Sequence, residues 1–423
     1  MKESTLFQKD FTLLIIGQII SLFGNSILRF SLSLYILDVT GSATAFGSIL
    51  ALSMIPTILL SPIGGVLADR VNRRNIMVCL DVITSLVCIV FLTQIGSSQI
   101  VFLVAAVMMI LSIIQSMYQP SVQASVPVLV DSNHLLQANG VVIQVNALAN
   151  FLGPILGGML YGFFDLKIIV IVSAIAFFIS AVLEMFIRIP FTKQSSNGKV
   201  FDTAIMDLKQ ALTFISKDNP ILFKILLVVA AINLFFSTMI MIGLPYIIKV
   251  QLGLSSQLYG IAESFLAIGS IGAGLAIGVV SKKYTIHNSY IFILLGGVVL
   301  LPIAFVTGLQ VQPMVAYVVI CISTFLCMAS VGIFSIFAQT FLQSETPNEM
   351  LGKVSAFVST IVMCSYPIGQ SLYGVMFDRF SDEIYLIILF AIIVELILGF
   401  MTKRYLTKLQ SKLPSKQLSV QNE

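Results

Sequence analysis

The sequence has little charge for its length. Only 10% of its 423 residues are Asp, Glu, Lys or Arg, whereas a soluble globular domain carries about 25%. Hydrophobic residues make up 58% of the chain, and its mean hydropathy is +1.02. So few charges among so many apolar side chains argue against an ordinary soluble fold, and they predict a protein whose main solvent is lipid.

Histidine and cysteine are also scarce, and neither is placed for metal binding. The two histidines, His134 and His287, fall in predicted loops, so neither is available for a proton relay inside the membrane. The five cysteines lie in apolar runs without metal-ligand or redox spacing, which favours a role as small buried hydrophobes. No metal or other cofactor is therefore predicted.

Motifs for nucleotide-driven or enzymatic chemistry are missing too. The segment LGKV at 351–354 lacks the glycine and the Ser or Thr of a phosphate-binding loop, which excludes ATP-driven transport by this chain. A membrane enzyme, the most remote alternative, needs nucleophiles, acid–base groups or metal ligands clustered at one interface. The charged cluster at 70–74 contains no nucleophile and no metal ligand. No enzyme activity is predicted.

The sequence does contain a series of long apolar runs. A helix needs about 20 apolar residues to cross the hydrocarbon core of a bilayer. Twelve runs meet this length, and the first is too long for the apolar core of a signal peptide. The predicted spans, numbered 1 to 12 in chain order, cover residues 11–37, 44–67, 75–95, 99–122, 137–162, 167–190, 221–248, 257–280, 287–308, 313–341, 350–377 and 384–402.

The spans form two sets of six, separated by the longest polar stretch of the chain. The predicted domains are an N-terminal six-helix bundle at 1–190, a cytoplasmic linker at 191–220, a C-terminal six-helix bundle at 221–403 and a cytoplasmic tail at 404–423. Within the linker, the pattern at 203–216 predicts an amphipathic helix lying on the membrane surface.

The distribution of lysine and arginine orients the spans. If the N-terminus is inside, all but four of the 23 basic residues fall in inner loops and termini. The four are Arg29, Lys167, Lys249 and Arg379. Because cytoplasmic loops are enriched in positive charge, both termini are predicted to be cytoplasmic, in a multi-pass protein of the cell membrane.

The two halves of the chain also repeat. The second half has GVVSKKYTIHN at 278–288 where the first has GVLADRVNRRN at 65–75. It likewise has YGVMFD at 373–378 where the first has LYGFFD at 160–165. Such matches in corresponding loops indicate an internal repeat. They predict an all-α membrane protein with twelve transmembrane helices in two pseudo-symmetric six-helix bundles.

The charged hairpin between spans 2 and 3 carries a family resemblance. Gly65, Asp69, Arg70, Arg73 and Arg74 follow the pattern G-x-L-a-D-R-x-g-R-[RK], which resembles the corresponding loop of the major facilitator superfamily. The resemblance implies that family's fold and a latch that holds the two bundles together in one state. Gly65 is expected to let span 2 approach a neighbouring helix closely. Asp69 is expected to pair with the arginines or to meet a helix N-terminus.

A glycine-rich segment of span 5 extends the resemblance. Gly153, Pro154, Gly157 and Gly158 resemble the G-P-x-x-G-G motif of proton-driven exporters in the same superfamily. The simpler interpretation is small-residue packing beside a proline kink. The resemblance implies in addition a bend that seals the cavity outward and favours exchange over leak.

The layout at 118–139 most resembles the macrolide-efflux branch of the drug:proton antiporters. This branch implies a monomeric secondary transporter that moves a hydrophobic or amphipathic small molecule out through the lipid bilayer by proton antiport and binds no nucleic acid. Exporters of siderophores or peptide products and a lysophospholipid flippase remain alternatives. Span 4 departs from the usual antiporter pattern, because Ser112 and Ser116 replace an arginine and a glycine, although Gln115 is kept.

Five charged residues fall inside predicted spans, where a charge at the bilayer centre costs about 2.5–3.5 kcal/mol. They are Arg29, Asp81, Glu184, Glu263 and Glu395. Glu263 and Arg29 are the proton-coupling candidates, and an ion pair between them is expected unless Arg29 extends to the membrane surface. Glu184 and Glu395 fall in peripheral spans, where structural pairing or exposure at the lipid interface is expected. Asp81 is expected to serve the hairpin.

Polar residues in the inner spans are predicted to face a substrate cavity. They are Gln18 and Asn25 in span 1, Gln115 and Gln119 in span 4, and Asn233 in span 7. The remaining lining is predicted to be apolar, because phenylalanine (31 residues) and methionine (17 residues) are abundant and offer adaptable surfaces for varied substrates.

Overall fold

The computed structural model describes residues 6–190, 200–309 and 311–410, and over these residues the chain is helical with no strand. Within these described ranges, twelve helical segments are long and apolar enough to cross a membrane. Each lies close to the predicted span of the same number. Their helical bounds are Lys9–Thr40, Ala43–Arg70, Arg73–Leu92, Ile100–Leu129, Leu135–Phe163, Leu166–Met185, Pro220–Gln251, Ser256–Val280, Ile286–Gly308, Pro313–Glu345, Asn348–Arg379 and Ile384–Gln410.

Two of the spans are not continuous α-helices. Span 7 alternates α-helix at Pro220–Ala231 and Thr238–Pro245 with π-helical turns at Ile232–Ser237 and Tyr246–Gln251. Span 9 breaks between Tyr290–Val299 and Leu301–Gly308, and Pro302 lies in the first turn of the second piece. Proline has no amide hydrogen to donate and therefore fits the start of a helix better than its interior.

The polar connection between spans 6 and 7 contains a helix at Val200–Thr213, continued by a π-helical turn at Phe214–Asp218. The predicted amphipathic helix at 203–216 overlaps both. Residues 191–199 of the predicted linker and 411–423 of the predicted tail lie outside the described residues. Span 12 continues as helix to Gln410, past the predicted end of its bundle at residue 403.

Short polar signals separate the first three spans. Gly41 ends span 1 with φ 62°, a left-handed conformation that glycine adopts without steric cost. The Ser42 side chain then caps span 2 by accepting a hydrogen bond from the Ala45 amide at 3.1 Å. Asn72 caps span 3 in the same way by accepting from the Arg74 amide at 3.1 Å. These caps allow very short connections between long helices.

Large apolar side chains cover much of the outer surface. Phe102 is 70% exposed, Leu275 is 80% exposed and Phe305 is 67% exposed. Such a surface is unfavourable in water but is solvated by acyl chains. The helices meanwhile satisfy their backbone hydrogen bonds internally, as a lipid environment requires. Exposed apolar side chains on apolar helices are the arrangement of a multi-pass membrane protein.

The chain divides into two compact units. Unit 1 comprises Met1–Ala204 together with Leu254–Glu263, and unit 2 comprises Ile205–Gly253 together with Ser264–Glu423. The start of span 8 therefore belongs to unit 1, whereas the sequence assigned all of span 8 to the C-terminal bundle. In unit 1, two clusters of buried apolar side chains both include span 1, one around Leu32 and Val104 and the other around Phe11 and Met77.

Candidate functional site

Polar side chains of unit 1 meet between spans 1, 4 and 5. The Asn25 amide donates to the Gln115 carbonyl oxygen at 3.4 Å, so these two predicted cavity residues lie together. Gln119, one turn further along span 4, donates to the side-chain oxygen of Asn146 in span 5 at 3.2 Å. All four side chains are half-buried. They form a polar row along span 4 within otherwise apolar surroundings.

Arg29 points its guanidinium at spans 2 and 4. One terminal nitrogen donates to the Ser112 hydroxyl at 2.8 Å and to the Met108 carbonyl at 3.5 Å, and the other donates to the Ser53 hydroxyl at 3.3 Å. The predicted ion pair with Glu263 is wrong. Hydroxyl and carbonyl oxygens within unit 1 satisfy the guanidinium donors instead. Arg29 thus brings its charge to Ser112 of span 4.

Glu263 has its nearest partner on its own helix. The Tyr259 hydroxyl donates to a Glu263 carboxylate oxygen at 2.6 Å. Tyr259 is buried, and its ring stacks on Phe30 of span 1 with centroids 5.4 Å apart and planes at 3°. No basic side chain in the described ranges pairs with Glu263. The carboxyl is therefore half-buried beside a phenol and an aromatic stack.

The glycines of span 5 lie where other helices come close. A Cβ added at Gly153 would overlap the Ser26 hydroxyl, and one at Gly157 would lie 3.1 Å from the Phe30 Cβ. A Cβ at Gly158 would lie 2.8 Å from the Cα of Gly260 at the start of span 8. Pro154 lies inside the same helix. The motif therefore provides close helix packing within unit 1.

The hairpin between spans 2 and 3 is attached to span 4 through Arg73. Its guanidinium donates to the Ala68 carbonyl at 3.0 Å and to the Ala124 carbonyl at 2.8 Å. Arg74 donates to the neighbouring Asn75 side chain at 3.1 Å, and Arg70 is exposed. The Asp69 side chain lies outside the part of the structure that is described.

The close approach expected of Gly65 is wrong. A Cβ at Gly65 would meet nothing within 4 Å, whereas one at Gly64 would overlap the Ser116 carbonyl of span 4. Adjacent helical residues point about 100° apart, so only one of two neighbouring glycines faces the partner helix. Gly64 is the residue that lets span 2 pack against span 4.

Gln18 does not face an open cavity. Its side chain is 0% exposed, and neither end of its amide has a hydrogen-bond partner among the described residues. In unit 2, Asn233 is half-buried and accepts a hydrogen bond from the Tyr366 hydroxyl at 2.7 Å. A cavity of about 230 Å³ lies between spans 7, 10 and 11, and it begins one turn before Asn233. Its lining includes Leu226, Val229, Ser335, Gln339 and Ser359.

The remaining intramembrane carboxyls are buried. Glu184 and Glu395 are each 0% exposed, so exposure at the lipid interface is wrong for both. Glu184 accepts a hydrogen bond from the Tyr118 hydroxyl at 2.6 Å. Asp81 accepts one from Ser21 of span 1, and not from the hairpin that it was expected to serve. Burial on all sides gives these carboxyls a protein environment in place of lipid.

Sequence reasoning missed several polar partners, among them Asn146, Tyr118 and Tyr366. Each lies in an apolar run, where a single amide or phenol has no distinguishing pattern. A usable signal exists for Asn146 alone. It lies seven residues before Gly153 and thus on nearly the same face of span 5 as the glycines that meet span 1.

Known proteins match the chain along most of its length. A family model described as Major Facilitator Superfamily matches residues 14–370. Macrolide efflux protein A of Streptococcus pyogenes is 24% identical over 369 residues, covering 86% of this chain and 88% of that protein. The staphyloferrin A transporter of Staphylococcus aureus is 24% identical over 372 residues, with coverage of 85% and 87%. The solved structure of nucleoside transporter NupG shares the fold, with a TM-score of 0.68, 13% identity and coverage of 94% and 99%.

Proposed function

Because the chain belongs to the Major Facilitator Superfamily, we propose that it exports a hydrophobic or amphipathic small molecule of macrolide-like chemistry in exchange for protons. The chain is a membrane transporter, not an enzyme, and its described residues include twelve apolar helices long enough to cross a membrane. An exporter that works against a gradient needs an energy source. Since the sequence contains no phosphate-binding loop, an ion gradient is proposed to supply it.

The composition of the polar row and of the unit 2 cavity supports the proposed substrate class. Asn25 and Gln115 offer amide groups next to apolar helix faces, and the cavity in unit 2 is lined mainly by aliphatic side chains. An apolar lining with a few polar groups suits a ligand that is largely apolar and carries scattered hydroxyl and carbonyl groups. The likeness to macrolide efflux protein A supports the same class.

Proton coupling is proposed to use Glu263, with Arg29 as the fixed charge in unit 1. Glu263 has a phenolic donor at 2.6 Å and no basic partner in the described ranges, so its carboxyl can alternate between a protonated and a charged form. Protonation would remove the negative charge in one state of the transport cycle. Release of that proton on the other side of the membrane would couple the gradient to transport.

The hairpin is proposed to act as a latch between conformations. Arg73 already joins two carbonyls, one at the end of span 2 and one near the end of span 4. Asp69, Arg70 and Arg74 lie in the same short segment and supply further charge. Breaking such contacts when a proton or substrate binds would let span 2 move. The distribution of basic residues supports placing this hairpin, both termini and the linker on the cytoplasmic side of the cell membrane.

Siderophore export is the second candidate, and one observation favours it. Arg29 contacts hydroxyl and carbonyl oxygens, but no carboxylate in the described ranges neutralises it. A guanidinium with free charge is suited to bind an anionic substrate. The staphyloferrin A transporter matches at the same identity as the macrolide efflux protein.

Transport in cells tests both candidates. The chain is expressed in a bacterium that lacks its own drug exporters, and accumulation of erythromycin is compared with that of empty-vector cells and of cells with Arg29→Gln. Lower erythromycin accumulation in the wild type supports macrolide export. Unchanged accumulation, together with secretion of staphyloferrin A that Arg29→Gln abolishes, would replace macrolide export by siderophore export. No change in either compound would contradict both candidates.

A further inference from the structure

Two buried carboxyls of unit 1 have hydrogen-bond partners different from that of Glu263. Asp81 of span 3 is 2% exposed and Glu184 of span 6 is 0% exposed. Spans 3 and 6 pack against each other, and the Ser21 hydroxyl bonds both to Asp81 and to the hydroxyl of Ser180, one turn before Glu184. Ser21 of span 1 donates a hydrogen bond to Asp81, and Tyr118 of span 4 donates one to Glu184. Four helices therefore meet at one acidic pair inside the bundle.

Short hydrogen bonds bind the pair to its surroundings. The Ser21 hydroxyl donates to Asp81 Oδ2 at 2.5 Å, and the Tyr118 hydroxyl donates to Glu184 Oε1 at 2.6 Å. Ser180, one turn before Glu184, lies 2.9 Å from the Ser21 oxygen and donates to the Gly17 carbonyl at 3.0 Å. These hydroxyls link the two acids through span 1.

The charges around the pair do not balance if both acids are ionised. The titratable groups that face it are the two carboxyls and the Tyr118 phenol, while span 1 contributes only the Ser21 hydroxyl and the Gly17 backbone. No basic side chain of the described ranges pairs with either acid. Uncompensated charges are costly inside a membrane, and two of like sign also repel each other.

One buried carboxyl oxygen of the pair lacks a hydrogen-bond partner among the described residues. Glu184 Oε2 is buried and has no partner among the described residues. An ionised carboxylate would leave this oxygen unsatisfied, whereas a protonated carboxyl carries less charge to solvate.

We propose that Asp81 and Glu184 form a proton-binding site that holds one exchangeable proton between them, separate from Glu263. A proton bonds to a carboxylate oxygen when it arrives from water and returns to water when it leaves.

Span 1 contacts the buried acids and also carries residues of the candidate functional site. A Cβ at Gly17 would lie 3.1 Å from Glu184 Cγ, so the span 1 backbone rests directly on this side chain. Span 1 also carries Asn25 and Arg29 of the candidate site. A shift of span 1 that accompanies proton loss would therefore move the polar row. This functional consequence rests on the proposed proton antiport, whereas the presence of the proton does not.

Infrared spectroscopy of the purified full-length protein in lipid nanodiscs tests the proton directly. A protonated carboxyl absorbs at the carboxylic-acid C=O stretch, and an exchangeable proton shifts that band in D2O. We expect Asp81→Asn and Glu184→Gln each to alter the band, and the double variant to remove one protonated carboxyl and not two. Tyr118→Phe keeps both acids but removes the hydrogen-bond donor to Glu184, so it should shift the band. This variant provides the test if the single variants at the two acids fold poorly.

Glu395→Gln is the matched control. Glu395 is equally buried, but neither of its oxygens has a partner in the described ranges, and no second acid faces it. Its band should be unaffected by Tyr118→Phe. A wild-type spectrum that loses no protonated carboxyl in either single variant would overturn the site. Removal of the band by sodium ions at constant pH would likewise overturn it, in favour of a cation site.

Proton release in weakly buffered detergent solution tests the link to transport. Addition of erythromycin to the wild type should release protons, and Glu184→Gln should release about one fewer per protein. If erythromycin releases no protons from the wild type while the infrared band behaves as expected, the site stands and the proposed antiport fails. If wild type and Glu184→Gln release equal numbers, the site is not linked to the substrate.

Discussion

Arg29 is a charged side chain held inside a membrane span by hydroxyls and carbonyls. Its contacts to Ser112, Ser53 and Met108 satisfy donors but leave the charge in place. Hydrogen bonds to a charged group contribute about 1.5–3 kcal/mol each, enough to offset the cost of placing one arginine in a span. The result is a fixed positive charge next to the polar row of span 4, available to a proton-bearing group or an anionic substrate.

Glu263→Gln should remove the response to a pH gradient while leaving downhill movement of substrate intact. Glutamine keeps the shape and can still accept from Tyr259, but it cannot release a proton. The measurement is macrolide uptake by proteoliposomes with and without an imposed gradient.

Glu395→Gln serves as control, because Glu395 lies in unit 2 without a hydrogen-bond partner in the described ranges. The variant should keep the response to the gradient. Gradient-driven uptake that survives in Glu263→Gln and is lost in Glu395→Gln would reverse the assignment.

Single contacts were harder to predict than helices. The pairing of Asn25 with Gln115 could be anticipated, because both were assigned to the cavity face of neighbouring spans. That Gly64, and not Gly65, packs against span 4 could not be predicted. An apolar run indicates where a helix lies but not its rotation about its own axis. The contact of Arg29 with Ser112 could not be predicted either, because a long side chain reaches several acceptors and the sequence does not indicate which one it contacts.

Among the elements, the hairpin between spans 2 and 3 concentrates charge at one end of unit 1. Asp69→Asn should leave the protein folded and inserted but reduce transport about tenfold or more, because it removes the single acid of the segment. Transport of a macrolide in vesicles and the elution profile of the purified variant are the two measurements.

Lys282→Asn is the matched change at the repeat position and should have little effect. It is exposed and lies in the loop GVVSKKYTIHN, which contains no acid. Equal loss of transport in the two variants would contradict a latch confined to the first half.

Span 5 meets the backbone of span 8 at Gly158. Gly158→Ala should lower the thermal stability of the purified protein and slow transport, because its Cβ would lie 2.8 Å from the Gly260 backbone. Backbone atoms cannot move aside as a side-chain tip can, so the helices must separate.

Gly140→Ala is the control on the same helix, since its Cβ would meet nothing within 4 Å. Alanine is favoured over glycine by about 1 kcal/mol in a helix, so this variant should be neutral or slightly stabilised. A Gly158→Ala protein as stable and active as Gly140→Ala would show that the contact is not required.

At this scale the sequence predicted most of the fold. Run length placed most helix ends close to the observed ones, although span 4 continues to Leu129, past the predicted end at 122, and span 12 continues to Gln410, past 402. The break of span 9 before Pro302 and the π-helical turns of span 7 were not predicted, because hydropathy averages over a whole run. The allocation of residues 254–263 to unit 1 was also missed, since chain order does not reveal which neighbours a helix end contacts.

For the whole molecule, the distribution of basic residues predicts that both termini are cytoplasmic. In a protein whose native cysteines are replaced by serine, a cysteine at Ser98 should react with a membrane-impermeant maleimide added outside intact cells. A cysteine at Ser281 should react only after the cells are opened. The reverse pattern would contradict the orientation and the direction of transport with it.

The central claim is that a proton gradient drives this chain to move a hydrophobic small molecule. The most direct measurement is erythromycin uptake by proteoliposomes whose protein has its predicted cytoplasmic face outward. An acidic interior should drive accumulation above the level in liposomes without protein, and a protonophore should abolish it. Accumulation driven by a sodium gradient, with no response to the pH gradient, would contradict the claim.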